Sequence, residues 1–268
     1  MKLFLDGRAV AYDLLGDAAA PVVCFTHSLA ADGGMWAEQV PPLLAMGWRV
    51  LRLDMRGHGG SDPVAGPYTM SALAADVAGA LDALGIARVH YIGLSIGGML
   101  GQAFALEHPD RLISAIWCDT RPSTPHEGAS AWAERIATVE RAGSVAPLAD
   151  ATVARWFTDA FPARAPARLR QIRDTVAATT PAGYIGSCRA IMDFDFTPRL
   201  PEVKTPVLVL CGDQDPGTPP VENRRIAGLV ANGRYEEIAD ARHFPNVEHP
   251  DVFNHHMMEW LDGKRHLD

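Results

Sequence analysis

Gly93-Leu94-Ser95-Ile96-Gly97-Gly98 is the stretch that decides the fold of this chain. An apolar run typical of a buried strand, residues 89–92, leads into it, and a helical pattern that ends near Glu107 leads out of it. This arrangement predicts a serine on a sharp strand-to-helix turn, with its hydroxyl exposed above a sheet. So tight a turn excludes side chains from its neighbours, which gives Gly93 and Gly97 a steric reason to be glycine.

The same turn is expected to supply half of an anion-binding site. Ile96 opens the helix, and the first N–H groups of a helix have no intrahelical partner and favour negative charge. A second N–H donor is expected from the loop after an earlier strand pattern, residues 22–26, and this places Leu29 beside Ile96. An ordinary strand-to-loop turn at Leu29 is the alternative.

A serine hydroxyl is a poor nucleophile until a base takes its proton, and the base needs an acid behind it. Asp215 lies just past a later strand pattern, and His243 lies in the loop after the next one. The order Ser95, Asp215, His243 is the order expected for an α/β-hydrolase triad. Two other carboxylates stay open as the acid. Asp213 lies in the same turn as Asp215, and Asp119 lies at the end of the strand pattern that follows the helix starting at Ile96.

Strand and helix patterns alternate over residues 1–120 and return over residues 201–268, which predicts a mostly parallel, doubly wound sheet. The first strands are expected to form a hairpin around Asp6-Gly7. A helix over residues 35–46 is expected to be broken at Pro41-Pro42.

Over residues 121–200 the strand patterns stop, and seven prolines separate short helical patterns. We therefore expect an α/β core made of residues 1–120 and 201–268, with residues 121–200 inserted as a helical cap over the sheet.

Composition excludes several classes of function. A formal net charge of -8 over 268 residues argues against a nucleic-acid partner. We expect no membrane partner, because no apolar stretch approaches the roughly 20 residues that a membrane helix needs.

Asp6 and Arg8 interrupt any secretory segment, so we expect a cytoplasmic protein whose four cysteines are buried, reduced thiols. No spacing of ligands predicts a metal site or a cofactor. The oligomeric state stays open.

The expected cap has an unusual charge for this acidic chain. Residues 121–199 contain ten arginines, eight acidic residues and no lysine. A locally positive cap would draw an anionic substrate by electrostatic steering. The alternative is that these arginines pair with neighbouring acids on solvated helix faces.

Taken together, these motifs resemble the α/β-hydrolase superfamily, and the chain is most similar to the 3-oxoadipate enol-lactonases. One departure concerns the loop after residues 22–26, where the lactonases usually carry Asn-Ser-Leu-Gly and this chain has His27-Ser28-Leu29-Ala30. The segments that carry the resemblance are residues 27–29, 54–59, 66–69, 93–102, 156–158 and 243–248.

The resemblance implies the α/β-hydrolase fold and a cofactor-independent enzyme. Its substrate would be a lactone or small ester, anionic in the lactonases and drawn from aromatic-compound catabolism, and the acyl group would pass through Ser95. A general carboxylesterase, a carbon–carbon bond hydrolase and a slow ligand-sensing member of the same fold are the alternatives. The residues expected to serve the site are Ser95, Asp215 and His243 for catalysis, Leu29 and Ile96 for the oxyanion, and His27 and Trp156 for substrate contact.

Overall fold

Eight strands form a single sheet in the computed structural model, which describes residues 1–125 and 129–267. The spatial order is β1-β2-β4-β3-β5-β6-β7-β8, in which β2 runs antiparallel to both of its neighbours, β1 and β4, and all the other neighbouring pairs are parallel. The predicted mostly parallel sheet is therefore confirmed. The strands are β1 (Lys2–Leu5), β2 (Arg8–Leu15), β3 (Val22–Thr26), β4 (Arg49–Leu53), β5 (Val89–Leu94), β6 (Leu112–Cys118), β7 (Val207–Gly212) and β8 (Gly233–Ile238).

The central strands are apolar along their whole length because both of their faces are covered. Every residue of β3, β5, β6 and β7 is buried, as expected of parallel strands with helices on both sides. The edge strand β8 is partly exposed, with one fully buried residue, Ile238.

Helices cover the sheet and extend beyond it. At the N-terminus the predicted hairpin is present, with Asp6 and Gly7 both at positive φ. The helices are α1 (Val40–Ala45), α2 (Met70–Ala83), α3 (Ile96–Glu107), α4 (Ala129–Ala142), α5 (Ala149–Trp156), α6 (Phe161–Arg164), α7 (Pro166–Ala178), α8 (Pro181–Met192), α9 (Pro220–Leu229), α10 (Pro245–Glu248) and α11 (Pro250–Asp262).

The helix expected over residues 35–46 is instead two short elements. A 3₁₀ turn spans Gly33–Trp36, and α1 follows with Pro41 and Pro42 in its first turn. Proline is tolerated there, because the first N–H groups of a helix have no intrahelical partner to lose. The prolines therefore begin a helix where the sequence pattern predicted that they break one.

Between β6 and β7 the described residues contain the helices α4–α8 and a single isolated bridge, from Ser123 to Asp195. We call residues 121–200 the cap segment. We propose that it is a unit inserted into a core made of residues 1–120 and 201–268. Within the described ranges, no helix is both long enough and apolar enough to cross a membrane.

Candidate active site

Ser95 lies between β5 and α3 with φ 60° and ψ -117°. Few residues other than glycine adopt positive φ, so this backbone is strained and needs support from its surroundings. The support comes from the end of β6. The Ser95 N–H donates to the Cys118 carbonyl at 2.9 Å, and the Thr120 hydroxyl donates to the Ser95 carbonyl at 2.8 Å.

The two glycines of the turn have the steric role predicted from the sequence. A Cβ at Gly93 would collide with the Gly97 carbonyl. A Cβ at Gly97 would lie 2.8 Å from the Thr26 carbonyl oxygen, which belongs to the end of β3. The start of α3 therefore lies against the end of β3, next to the loop that carries Leu29.

A cavity of about 370 Å³ lies between the carboxyl ends of the strands and the cap segment. Ser95, Asp215 and His243 all line it, although they come from three separate loops. Leu29 lines it from the core side and Trp156 from the cap segment. The structure thus brings these five predicted residues to a single cavity.

His243 and Asp215 form a buried pair. The Asp215 Oδ2 atom accepts hydrogen bonds from His243 Nδ1 at 2.7 Å and from the Thr218 hydroxyl at 2.5 Å. Its Oδ1 atom accepts from the Gly217 and Thr218 N–H groups, at 2.8 and 3.2 Å.

This pairing keeps Asp215 ionised and orients the His243 ring. Burial raises the pKa of Asp215, but the charge of His243 and the hydrogen bonds from His243, Thr218 and Gly217 outweigh burial and hold that pKa below its usual range. Because Asp215 stays ionised and accepts from Nδ1, the other His243 nitrogen, Nε2, is left as the acceptor that a general base needs.

The two alternative acids occupy different surroundings. Asp213 is exposed, and its carboxylate accepts from the Ala241 N–H at 3.2 Å, as a turn former does. Asp119 is fully buried, and its Oδ1 atom accepts from the Gly212 N–H at 2.9 Å. Burial first, and the charge of Asp215 second, raise the pKa of Asp119 well above its usual range, which favours its protonated form.

Asp119, Asp215 and His243 are also the described residues whose donor atoms are grouped as metal ligands would be, within 4.8 Å of one another. A bound cation needs deprotonated ligands with free lone pairs. Here His243 Nδ1 donates a hydrogen bond to Asp215 Oδ2, and the raised pKa of Asp119 favours its protonated form. This donor set suits proton transfer better than it suits a metal ion.

His27 is fully buried and its side chain is not part of the cavity lining. Its Nε2 atom accepts from the Met55 N–H at 2.9 Å, and its Nδ1 atom lies 2.8 Å from the Ser28 carbonyl oxygen. Burial lowers the pKa of His27, so the ring is neutral. The ring therefore orders the loop that carries Leu29, by its contacts with the Met55 and Ser28 backbone.

Sequence reasoning missed a buried polar chain that links the serine turn to the acid. The Thr120 N–H donates to Asn223 Oδ1 at 3.0 Å, and Asn223 Nδ2 donates to the Thr218 carbonyl at 2.7 Å. Thr120 also holds the Ser95 carbonyl, and Thr218 also holds Asp215. Thr218 had a local signal, three residues after Asp215, whereas nothing in the sequence pointed to Asn223 on α9.

The cap segment is attached to the histidine loop. The Trp156 ring stacks on Phe244 with centroids 4.2 Å apart, and the Phe244 N–H donates to the Trp156 carbonyl at 3.2 Å. Glu248 was not predicted from the sequence. It is buried, and its carboxylate accepts from the Thr158 N–H at 2.9 Å and from the Arg242 N–H at 3.1 Å. Trp156 therefore both lines the cavity and fastens the cap segment to the segment that carries His243.

This arrangement has the parts that acyl transfer requires. It combines a strained, cavity-facing hydroxyl, an imidazole oriented by a carboxylate, and backbone N–H groups at the start of α3 and in the loop after β3. Nothing in it requires a cofactor.

Comparison with known proteins agrees with this geometry. The family model for the alpha/beta hydrolase fold matches residues 21–250. The 3-oxoadipate enol-lactonase 2 of Acinetobacter baylyi is 32% identical over 247 residues, which cover 92% of this chain and 91% of that protein.

Two solved structures show the same architecture. The enol-lactonase from Burkholderia xenovorans LB400 has a TM-score of 0.93 and 37% identity, over 98% of this chain and 100% of that one. A malate-bound thermophilic esterase from Thermogutta terrifontis has a TM-score of 0.89 and 30% identity, over 98% and 96%. The chain therefore belongs to the alpha/beta hydrolase family, and enol-lactonases are among its relatives.

Proposed function

We propose that this α/β-hydrolase opens a lactone through an acyl-Ser95 intermediate. The observation that carries the proposal is the buried His243–Asp215 pair, which lines the same cavity as Ser95 on its strained turn. The similarity to the enol-lactonases from Acinetobacter baylyi and Burkholderia xenovorans supports a lactone as the substrate. The link to aromatic-compound catabolism rests on the sequence resemblance alone.

The proposed reaction has two halves, formation of the acyl-Ser95 bond and its hydrolysis, and the same residues serve both. His243 Nε2 takes the Ser95 proton while Oγ attacks the lactone carbonyl, and the Leu29 and Ile96 N–H groups bind the oxyanion that forms. The ring C–O bond then breaks, and His243 returns the proton to the leaving oxygen, which stays tethered to the acyl group. His243 next activates a water molecule that releases the acyl group from Ser95, and an enol product becomes a ketone.

Cleavage of a small carboxylic ester is the second candidate. The same bonds are made and broken, except that the alcohol departs instead of remaining tethered. The similarity to the Thermogutta terrifontis esterase favours this candidate. A cavity of about 370 Å³ fits a small acyl group in either case.

The test measures ring opening and ester cleavage by the wild type and by Ser95→Ala. We expect Ser95→Ala to fold with an unchanged melting temperature and to lose at least about 1,000-fold in kcat/KM, because the residue that forms the acyl bond is gone. The two substrate classes are ranked by kcat/KM on a panel of lactones and matched open-chain esters, with hydrolysis monitored by the protons it releases. Comparable turnover by Ser95→Ala at equal folded concentration would contradict the proposal.

A further inference from the structure

The proposed base and the proposed oxyanion donor come from segments near opposite ends of the chain. His243 lies in the loop after β8, and Leu29 lies in the loop after β3. Catalytic groups must be held within about 0.5 Å of the productive geometry, so two such loops need a physical link. A buried pair of side-chain amides provides one.

Asn246 is the centre of this link. It is fully buried on α10, close behind His243 in the chain. Its Nδ2 atom donates to the Met35 carbonyl at 2.9 Å and to Gln39 Oε1 at 3.3 Å. Gln39 is also fully buried, and its Nε2 atom donates to the Asn246 carbonyl at 3.0 Å. Both the side chain and the backbone of Asn246 therefore bind α10 to the segment of residues 35–39.

Met35 in turn contacts the turn that carries Leu29. The Ser28 N–H donates to Met35 Sδ at 3.3 Å, and the Ala31 N–H donates to the Ser28 carbonyl at 3.1 Å, which closes the turn. Ala30 in this turn has φ 61°, a conformation that residues other than glycine keep only with support from their surroundings. We call residues 28–31 the oxyanion loop. Its position depends on where Met35 is held.

A contribution to stability explains this amide poorly. Asn246 Oδ1 is buried and has no hydrogen-bond partner among the described residues. A buried polar atom without a partner destabilises the folded state. The side chain is better explained by what its Nδ2 atom holds, the backbone of Met35 and the side chain of Gln39.

We propose that Asn246 is a positioning residue that fixes the oxyanion loop relative to the loop of His243. This inference rests on the proposed function and adds a residue that acts through others. Among the described residues that line the cavity, none is Asn246, Met35 or Gln39, so the effect does not pass through contact with the substrate. A misplacement of about 1 Å costs up to about 100-fold in rate, so a loosened link should slow the chemistry and leave substrate binding almost unchanged.

The test removes the amide and keeps the approximate size of the side chain. Asn246→Leu is compared with Asn254→Leu on α11, whose amide also bonds to Gln39 but donates to the Glu38 carbonyl instead of the Met35 carbonyl. The substrates are the lactone dihydrocoumarin and the ester 4-nitrophenyl acetate. We also measure inhibition by an alkyl trifluoromethyl ketone, which adds to a serine hydroxyl and forms an oxyanion, as the transition state does.

We expect Asn246→Leu to lower kcat about tenfold, with KM changed by less than about twofold, and to weaken inhibition by the ketone by a similar factor. Asn254→Leu should change each quantity by less than about twofold. If Asn246→Leu does not fold, Gln39→Met replaces it, because this variant removes the hydrogen bond to the Asn246 carbonyl. We then expect kcat to fall about threefold.

Three results would overturn the inference. The first is a lower melting temperature in Asn246→Leu with unchanged kcat and unchanged inhibition, which is what a purely structural role gives. The second is a rise in KM alone. The third is an equal fall of kcat in Asn254→Leu.

Hydrogen exchange separates this inference from the proposed function. It is measured by mass spectrometry on a peptide that covers residues 28–35. We expect exchange at least about threefold faster in Asn246→Leu than in the wild type, and unchanged in Asn254→Leu, whatever the substrate is. If the wild type acts on neither compound, the proposed function fails and this comparison still tests the link. Equal exchange in Asn246→Leu and the wild type would contradict the inference.

Discussion

At the scale of single residues, neighbouring carboxylates have distinct tasks because their surroundings differ. Asp215 is buried but receives hydrogen bonds from His243, Thr218 and Gly217, so it keeps its charge. Asp119 is equally buried, and burial together with the nearby charge of Asp215 raises its pKa well above the usual range despite hydrogen bonds from Gly212 and Cys211. Burial alone therefore does not identify the acid that orients His243, whereas the direct hydrogen bond between Asp215 and His243, and the charge that each carboxylate faces, do.

Neutralising each carboxylate in turn separates these tasks. We expect Asp215→Asn to lower kcat/KM by about 1,000-fold or more, because the amide no longer stabilises the His243 imidazolium. Asp119→Asn should cost less than about tenfold, since it replaces a neutral carboxyl with a neutral amide. Asp213→Asn is the control from the same turn as Asp215, and kcat/KM on one lactone compares all three.

The reverse order of effects would reassign the acid. A large loss in Asp213→Asn with little change in Asp215→Asn would place the orienting role on the exposed carboxylate. A large loss in Asp119→Asn alone would mean that Asp119 is ionised and serves His243 directly.

At the scale of elements, the ends of β5, β6 and β7 are connected by buried polar groups rather than by packing alone. Thr120 holds the Ser95 carbonyl from the end of β6, and Asn223 on α9 joins Thr120 to the Thr218 carbonyl in the turn after β7. The strained serine turn and the acid turn therefore share one hydrogen-bonded support.

Removing the hydroxyl of Thr120 tests whether this support positions the serine. Thr120→Val keeps the shape of the side chain and deletes the hydrogen bond to the Ser95 carbonyl, which is worth about 1 kcal/mol. We expect kcat for a lactone to fall about fivefold, with KM changed by less than about twofold, because the strained turn loses one of its restraints. Thr138→Val on α4, where the hydroxyl bonds only within its own helix, is the control.

The readout separates positioning from stability. A loss of melting temperature in Thr120→Val with unchanged kcat would show that the hydroxyl only stabilises the fold. A rise in KM with unchanged kcat would place its effect on substrate binding instead.

The elements that the sequence predicts well are those whose signals are local. The alternation of strands and helices follows from a periodic pattern, and the glycines of the serine turn follow from a backbone requirement within a few residues. That Ser95, Asp215 and His243 line one cavity follows from the position of each just past a strand. The α1 region was predicted less well, because Pro41 and Pro42 are compatible with either a helix start or a break.

Contacts between residues far apart in the sequence could not be predicted from local sequence patterns. Asn223 lies 103 residues from Thr120, and Glu248 lies 90 residues from Thr158, so neither pair has a signature at fixed spacing. His27 shows the opposite case. A polar residue at a strand end is typical of a site, but the His27 ring accepts a hydrogen bond from the Met55 N–H and contacts the Ser28 carbonyl oxygen.

At the scale of the whole molecule, charge and topology act together. The parallel sheet brings three loops from distant parts of the chain to a single edge, and the cap segment closes the space above them. Three arginines line that space, Arg121, Arg135 and Arg155, in a chain whose formal net charge is -8, and charge of one sign in a concave site favours ligands of the other sign.

The central claim is that Ser95 is the activated nucleophile, and covalent labelling by a fluorophosphonate tests it most directly. The measurement is the site and stoichiometry of the label, read by peptide mass spectrometry beside the remaining lactone hydrolysis. The account predicts one label per chain, on Ser95, with activity lost in proportion and labelling slowed by the lactone. Lactone hydrolysis that persists in protein fully labelled at Ser95, or that is lost while Ser95 stays unlabelled, would contradict it.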